Sequence, residues 1–82
     1  MNKRKLLKQI LNNPKNVKFN DFIALIQAFG FSHARTEGSH WIFKNSQVSK
    51  LINIQNQKGE AKPYQIKQFF AMVEKYNLEM ED

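Results

Sequence analysis

Apolar residues in this chain recur at helical spacing up to Gly30, at strand spacing from there to Asn56, and at helical spacing again after Pro63. A hydrophobic period that switches in this way specifies a mixture of helices and strands in one short chain. Over residues 3–12, Leu6, Leu7, Ile10 and Leu11 make one face of an amphipathic helix. Asn12-Asn13-Pro14 stops it, because Pro14 cannot continue the hydrogen-bond ladder. A second helix is expected from Asn20, a residue suited to the N-cap, with Asp21 in the first turn where its charge suits the helix dipole. Its stripe is Phe22, Ile23, Leu25, Ile26 and Phe29, and Gly30 stands where a left-handed C-terminal cap belongs.

Segments 31–37, 39–45 and 50–56 then read as strands, with β-branched or aromatic residues set between polar ones. Glu37-Gly38 predicts a tight reversal and residues 45–49 a looser one. Residues 57–62 read as a loop, and Pro63 suits the first turn of a last helix striped by Ile66, Phe69, Phe70, Val73 and Leu78. The expected fold is α+β, in the order α-α-β-β-β-α, with a three-stranded antiparallel meander and helices on one face. One choice stays open. In the second strand Trp41 and Phe43 alternate with His40, Ile42 and Lys44, so both faces carry apolar residues.

The 82 residues suffice for a single domain, and seven Phe supply a compact core. With no cysteine there is no disulfide framework, thiolate metal site or Cys nucleophile. The basic start is followed by no apolar h-region, and no stretch reaches the ~18 apolar residues of a membrane span, so a soluble cytoplasmic protein away from membranes is expected. Net charge is +6, and a small basic domain attracts polyanions, phosphate backbones above all. The charge is uneven. Lys3, Arg4, Lys5, Lys8, Lys15 and Lys18 precede any acid, whereas Glu74, Glu79, Glu81 and Asp82 crowd the end.

Few residues here can carry chemistry. Asp21, Glu37 and Glu60 lie in three different elements, the two histidines lack zinc-ligand spacing, and there is no Gly-rich phosphate loop. No metal and no cofactor are therefore expected. The best catalytic group is His40, at the start of a strand just after Gly38-Ser39, where a rigid element holds an imidazole within reach of solvent. Histidine, with an ordinary pKa of ~6.5, both accepts and donates protons near neutrality. Gly38 serves the reversal itself, and Ser39 orients the backbone or His40, since nothing nearby activates it as a nucleophile. Arg35 and Lys44 are the expected cations near His40. Lys58 and Lys62 flank the loop before the last helix, where they could grip phosphate near its N-terminus. Trp41 reads as core or cover before it reads as a base-stacking platform, though it is the one aromatic whose ring, if exposed beside His40, could stack on a splayed base. His33 reads as a structural residue or a peripheral RNA contact.

Phe29-Gly30-Phe31, then Gly38-Ser39-His40-Trp41-Ile42-Phe43-Lys44, then the third strand and terminal helix together resemble the HicA toxin family, over about residues 20–78. The resemblance implies a fold like the double-stranded RNA-binding domain, in agreement with the element order read independently above. It implies small mRNA interferases, ribonucleases of bacterial and archaeal toxin–antitoxin modules, with the catalytic histidine at His40 and a HicB-like antitoxin as partner. It divides the chain into a basic helical extension (1–18), a HicA-like domain (19–78) and an acidic tail (79–82). The function expected is that of a metal-independent endoribonuclease toxin acting on mRNA through 2′-hydroxyl attack. The alternative is a non-catalytic RNA-binding module of the same fold, indifferent to the loss of His40. A protein-interaction adaptor, the third reading, would lack RNA affinity even at low salt.

Overall fold

Helices close over one face of a sheet here because each carries an apolar stripe and the sheet offers a matching one. The computed structural model describes residues 3–81. The first two residues of the basic extension and the last residue of the acidic tail lie outside them. The elements are α1 (Lys3–Asn12), a 3-10 turn at Pro14–Asn16, β1 (Val17–Lys18), α2 (Phe19–Ala28), β2 (Ser32–Glu37), β3 (His40–Asn45), β4 (Val48–Gln55), β5 (Glu60–Ala61) and α3 (Pro63–Lys75). The antiparallel sheet β2-β3-β4 is the expected meander, and β1 and β5 pair separately. None of the described helices is long and apolar enough to cross a membrane.

The core lies between the sheet and the helices. Phe22, Leu25, Ile26 and Phe43 are fully buried, and Ile52, Ile54, Ile66 and Phe69 pack with them. Phe69 meets Phe22, Phe29 and Phe31 edge-on, with centroids 5.7, 5.5 and 5.9 Å away. Such pairs are worth about 0.5–1.5 kcal/mol each beyond the area they bury. This packing settles the open choice: Trp41 and Phe43 face the helices. His40 and Lys44 stand on the uncovered face and are exposed. Ile42 is only 5% exposed yet belongs to that uncovered face, flanked in register by Arg35 and Asn53. From α1, Leu6 and Ile10 enter the same core, as does Val17, so the N-terminal helix packs onto the domain; Leu11, expected on its inner face, is exposed.

Three local details differ from expectation. α2 begins at Phe19, one residue before the expected cap, and Lys18 occupies the N-cap position with no side-chain bond. Lys18 is held extended by pairing with Glu60 in β5, and the Phe19 N–H donates to the Gly59 carbonyl at 2.9 Å. A backbone oxygen thus satisfies one of the N–H groups that a helix start leaves without an intrahelical partner. The stretch 57–62, read as loop, contains β5; a two-residue strand is too short to show a period. The turn after β3 is also tighter than expected, and β4 starts at Val48. Buried Asn45 draws it in, accepting from the Gln47 N–H and donating to the Phe29 carbonyl.

Gly30 ends α2 as expected. Its φ is +91°, and the Phe31 N–H to Ile26 and Gly30 N–H to Gln27 bonds form a Schellman cap. A Cβ there would lie 2.8 Å from Glu81 Oε1 and 3.3 Å from Asn45 Nδ2. Gly30→Ala is expected to cost about 1–3 kcal/mol, combining left-handed strain with crowding. Urea unfolding followed by circular dichroism measures this, and an unchanged midpoint would contradict it.

Candidate active site on the open sheet face

The two-residue reversal at Gly38-Ser39 sets which side chains reach the open face. Gly38 has φ +61° and, among the described residues, Ser39 does not share a positive φ. That combination belongs to hairpin turns that place glycine first. The reversal pairs Glu37 with His40, Arg35 with Ile42 and Thr36 with Trp41. A bulge between His33 and Arg35 shifts the register, so His33 falls on the helix side and Arg35 on the open side. On the far side of β3, His40 stands opposite Gln55 and Ile42 opposite Asn53.

His40 is exposed at the first position of β3, and its Nδ1 lies 3.0 Å from Asn53 Oδ1. Asn53 reaches it diagonally from β4, within the span of neighbouring positions on one sheet face. Ser39 is held twice from the end of β4: its carbonyl accepts the Asn56 N–H at 2.9 Å and its Oγ accepts Gln55 Nε2–H at 3.3 Å. Gln57 Nε2–H in turn donates to Gln55 Oε1 at 3.2 Å. A row of amides therefore runs from the His40 turn to the loop before α3. Among the described residues no histidine, lysine or carboxylate bonds to Ser39 Oγ.

Arg35 shares the open face and donates from Nε to Glu37 Oε1 at 3.0 Å, with both side chains more than half exposed. A pair so wetted adds little stability, yet it holds the Arg35 guanidinium beside Glu37, the β2 residue opposite His40. Lys44 lies two same-face positions further along β3, roughly 13 Å from His40 by strand rise. It therefore stands apart from His40 on the same face, although it was expected beside it. Lys58 follows two residues after Asn56, at the His40 end of the sheet. Lys62 is the N-cap of α3 as Lys18 is of α2, and pairing of β1 with β5 brings the two helix starts together. Lys18, Lys58 and Lys62 are exposed and make no salt bridge among the described residues.

Trp41 is not beside His40. It points to the opposite face, half-buried, edge-on to Phe19 at 5.4 Å and stacked on His33 at 4.9 Å. Alternation along β3 requires this once Phe43 faces the helices. His33 also bonds through Nε2 to Thr36 Oγ1 at 2.8 Å, so it lies in an aromatic row on the far side of the sheet from His40. Asn53 and Gln55 were not singled out from sequence, and Lys18 entered only as part of the basic run. The one signal was their alternation with Ile52 and Ile54, or the adjacency of Lys18 to the helix, and neither names a partner until the register is known. Among the described residues no group of three or more His, Cys, Asp or Glu is placed to hold a metal ion.

A family model described as HicA toxin of bacterial toxin-antitoxin matches residues 19–74, from the first residue of α2 into the last turn of α3. It takes in the whole meander and His40. Comparison with curated proteins and with solved structures gives no match.

The placement of Trp41 has a measurable consequence. Trp41→Ala is expected to lower unfolding free energy by about 2–3 kcal/mol, less than the loss of a fully buried ring. RNA affinity of the remaining folded protein should be unchanged, as read by fluorescence anisotropy well below the unfolding midpoint.

Proposed function

This chain belongs to the HicA toxin family, whose members are the toxins of bacterial toxin–antitoxin modules, and on that premise we propose that it is an endoribonuclease that cuts messenger RNA with His40 as its catalytic base. The observation that carries the reading is the imidazole on the open face, fixed at one nitrogen by Asn53 with the other directed away from that bond. RNA brings its own nucleophile. Nε2 of His40 takes the proton of a ribose 2′-hydroxyl, the 2′-oxygen bonds to the adjacent phosphorus, and the bond from phosphorus to the 5′-oxygen breaks. The 5′-oxygen leaves with a proton from water, giving a 2′,3′-cyclic phosphate and a free 5′-hydroxyl end. Such a reaction asks for a positioned base and for positive charge near the phosphorane, and both are within the repertoire of these residues. The guanidinium N–H groups of Arg35 not turned to Glu37 suit the reacting phosphate. Lys44 to one side and Lys58, Lys62 and Lys18 at the other end of the sheet suit its neighbours along the strand.

A toxin of such a module has a cognate antitoxin. We propose a HicB-like protein that covers His40 and presents acidic residues to a chain of net charge +6, silencing it by occlusion.

The decisive comparison uses an oligodeoxynucleotide carrying one ribose. The wild-type chain should cut only after that ribose and leave a cyclic phosphate, and His40→Ala should be at least about 10²-fold slower while folded by circular dichroism. Equal cleavage of all-deoxyribose substrate, or an undiminished rate in His40→Ala, would falsify the reading; binding without cleavage by the wild type would return the non-catalytic alternative. Backbone contacts are checked separately. Lys58→Gln and Lys62→Gln should each reduce the slope of log affinity against log salt by about 0.7 for single-stranded RNA, whatever its sequence.

A further inference from the structure

Histidine serves as a base through whichever ring nitrogen lacks the proton, and the hydrogen bond at the other nitrogen decides which one that is. At His40 that other nitrogen is Nδ1, and the atom 3.0 Å from it is the carbonyl oxygen of the Asn53 amide. An amide oxygen only accepts, so a hydrogen bond across this contact requires the proton on Nδ1. The lone pair of the neutral ring is then at Nε2, on the side of the ring away from Asn53. We propose that Asn53 is a positioning residue that fixes the tautomer of His40, and so makes this histidine enter the reaction as a base through Nε2. The inference rests on the ribonuclease reading above.

Three features support the assignment. A histidine side chain in water prefers its proton on Nε2, so without a partner at Nδ1 most neutral rings would present the wrong nitrogen. Asn53 lies within β4, between Ile52 and Ile54, both buried in the core, so its backbone is anchored by neighbours facing the helices. Its side chain has two rotatable bonds, and ordering it costs less than ordering a lysine or glutamate. The bond also changes strength along the reaction. When Nε2 accepts the 2′-hydroxyl proton, the ring becomes a cation and its Nδ1–H becomes a charge-assisted donor to the same oxygen. Asn53 thereby stabilises the imidazolium more than the resting ring, which is the differential binding that accelerates a step.

The test combines spectroscopy and kinetics on the full chain. With nitrogen-15 label, long-range proton–nitrogen correlations report which ring nitrogen of His40 is protonated, with His33 assigned through a His33→Gln sample. The wild type should show the Nδ1–H form when neutral, and Asn53→Leu should move it towards Nε2–H. Because Asn53 is exposed, its replacement leaves the core intact. On the single-ribose oligonucleotide, Asn53→Leu should lower kcat roughly 10–100-fold, a part of what a positioned base supplies, with KM within about two-fold. Asn53→Asp should keep the Nδ1–H form and recover most of kcat. Its carboxylate favours the imidazolium, so the acidic limb of its pH profile should move to higher pH. An Nε2–H ring in the wild type means the Asn53 amide is turned the other way, with its NH₂ donating to Nδ1, and overturns the proposal. So does a wild-type rate in Asn53→Leu. Either result beside an inactive His40→Ala removes only the role of Asn53, whereas a wild-type rate in His40→Ala removes the catalytic histidine itself.

Discussion

Strand β3 can face the helices in one register only, and that register decides what the surface of this protein displays. Phe43 is fully buried and Trp41 half-buried against Phe19, so the residues between them must point to the open face. Because the side-chain period is two, a slip of one residue would send His40 and Lys44 into the aromatic core and Phe43 into water. Several kcal/mol of burial and unpaired polar groups oppose such a slip. The turn at Gly38-Ser39 and the Asn45-capped turn at the other end of β3 enforce the same register from both sides. The amide row through Ser39, Gln55 and Gln57 is a product of that register as well.

Where apolar residues repeat over several turns, the sequence was readable. Phe22, Leu25 and Ile26 of α2 with Phe29 at its C-cap, and Ile66 and Phe69 of α3, are buried as their spacing implied. Phe70 and Val73 are half-buried at the edge of the same stripe, and Leu78 joins the core from beyond the helix, after a left-handed Asn77. The covered face of β3 was not readable because Ile42 is apolar and only 5% exposed while standing on the open side. Local alternation cannot tell a residue buried by helices from one buried between its own cross-strand neighbours. Pairing of β1 with β5 escaped for a related reason, since two residues with a partner more than forty positions away leave no periodic trace. The candidate site divides along the same line. His40, Gly38 and Ser39 lie together in sequence and are placed by one turn, whereas Asn53 meets His40 only through pairing thirteen positions away.

An exposed site of this kind must obtain its chemistry differently from a buried cleft. A ring in contact with water gains little from a low dielectric, since screening weakens any charge that might tune it. What the fold can supply is geometry: a strand end that fixes the ring, an oxygen that fixes its proton, and cations along the path of a polyanion. Under the proposed reaction that is enough, because the ribose provides the nucleophile and the substrate arrives with its phosphate already adjacent to it. The same openness bears on control. If His40 is catalytic as proposed, no described segment covers it, and a partner laid across the open face would silence it. Under the proposed reading the exposed lysines that suit RNA also suit an acidic antitoxin, and the two would compete for one surface. Competition for a shared electrostatic footprint makes release steeply dependent on ionic strength. A toxin regulated through a separate site would not show that dependence.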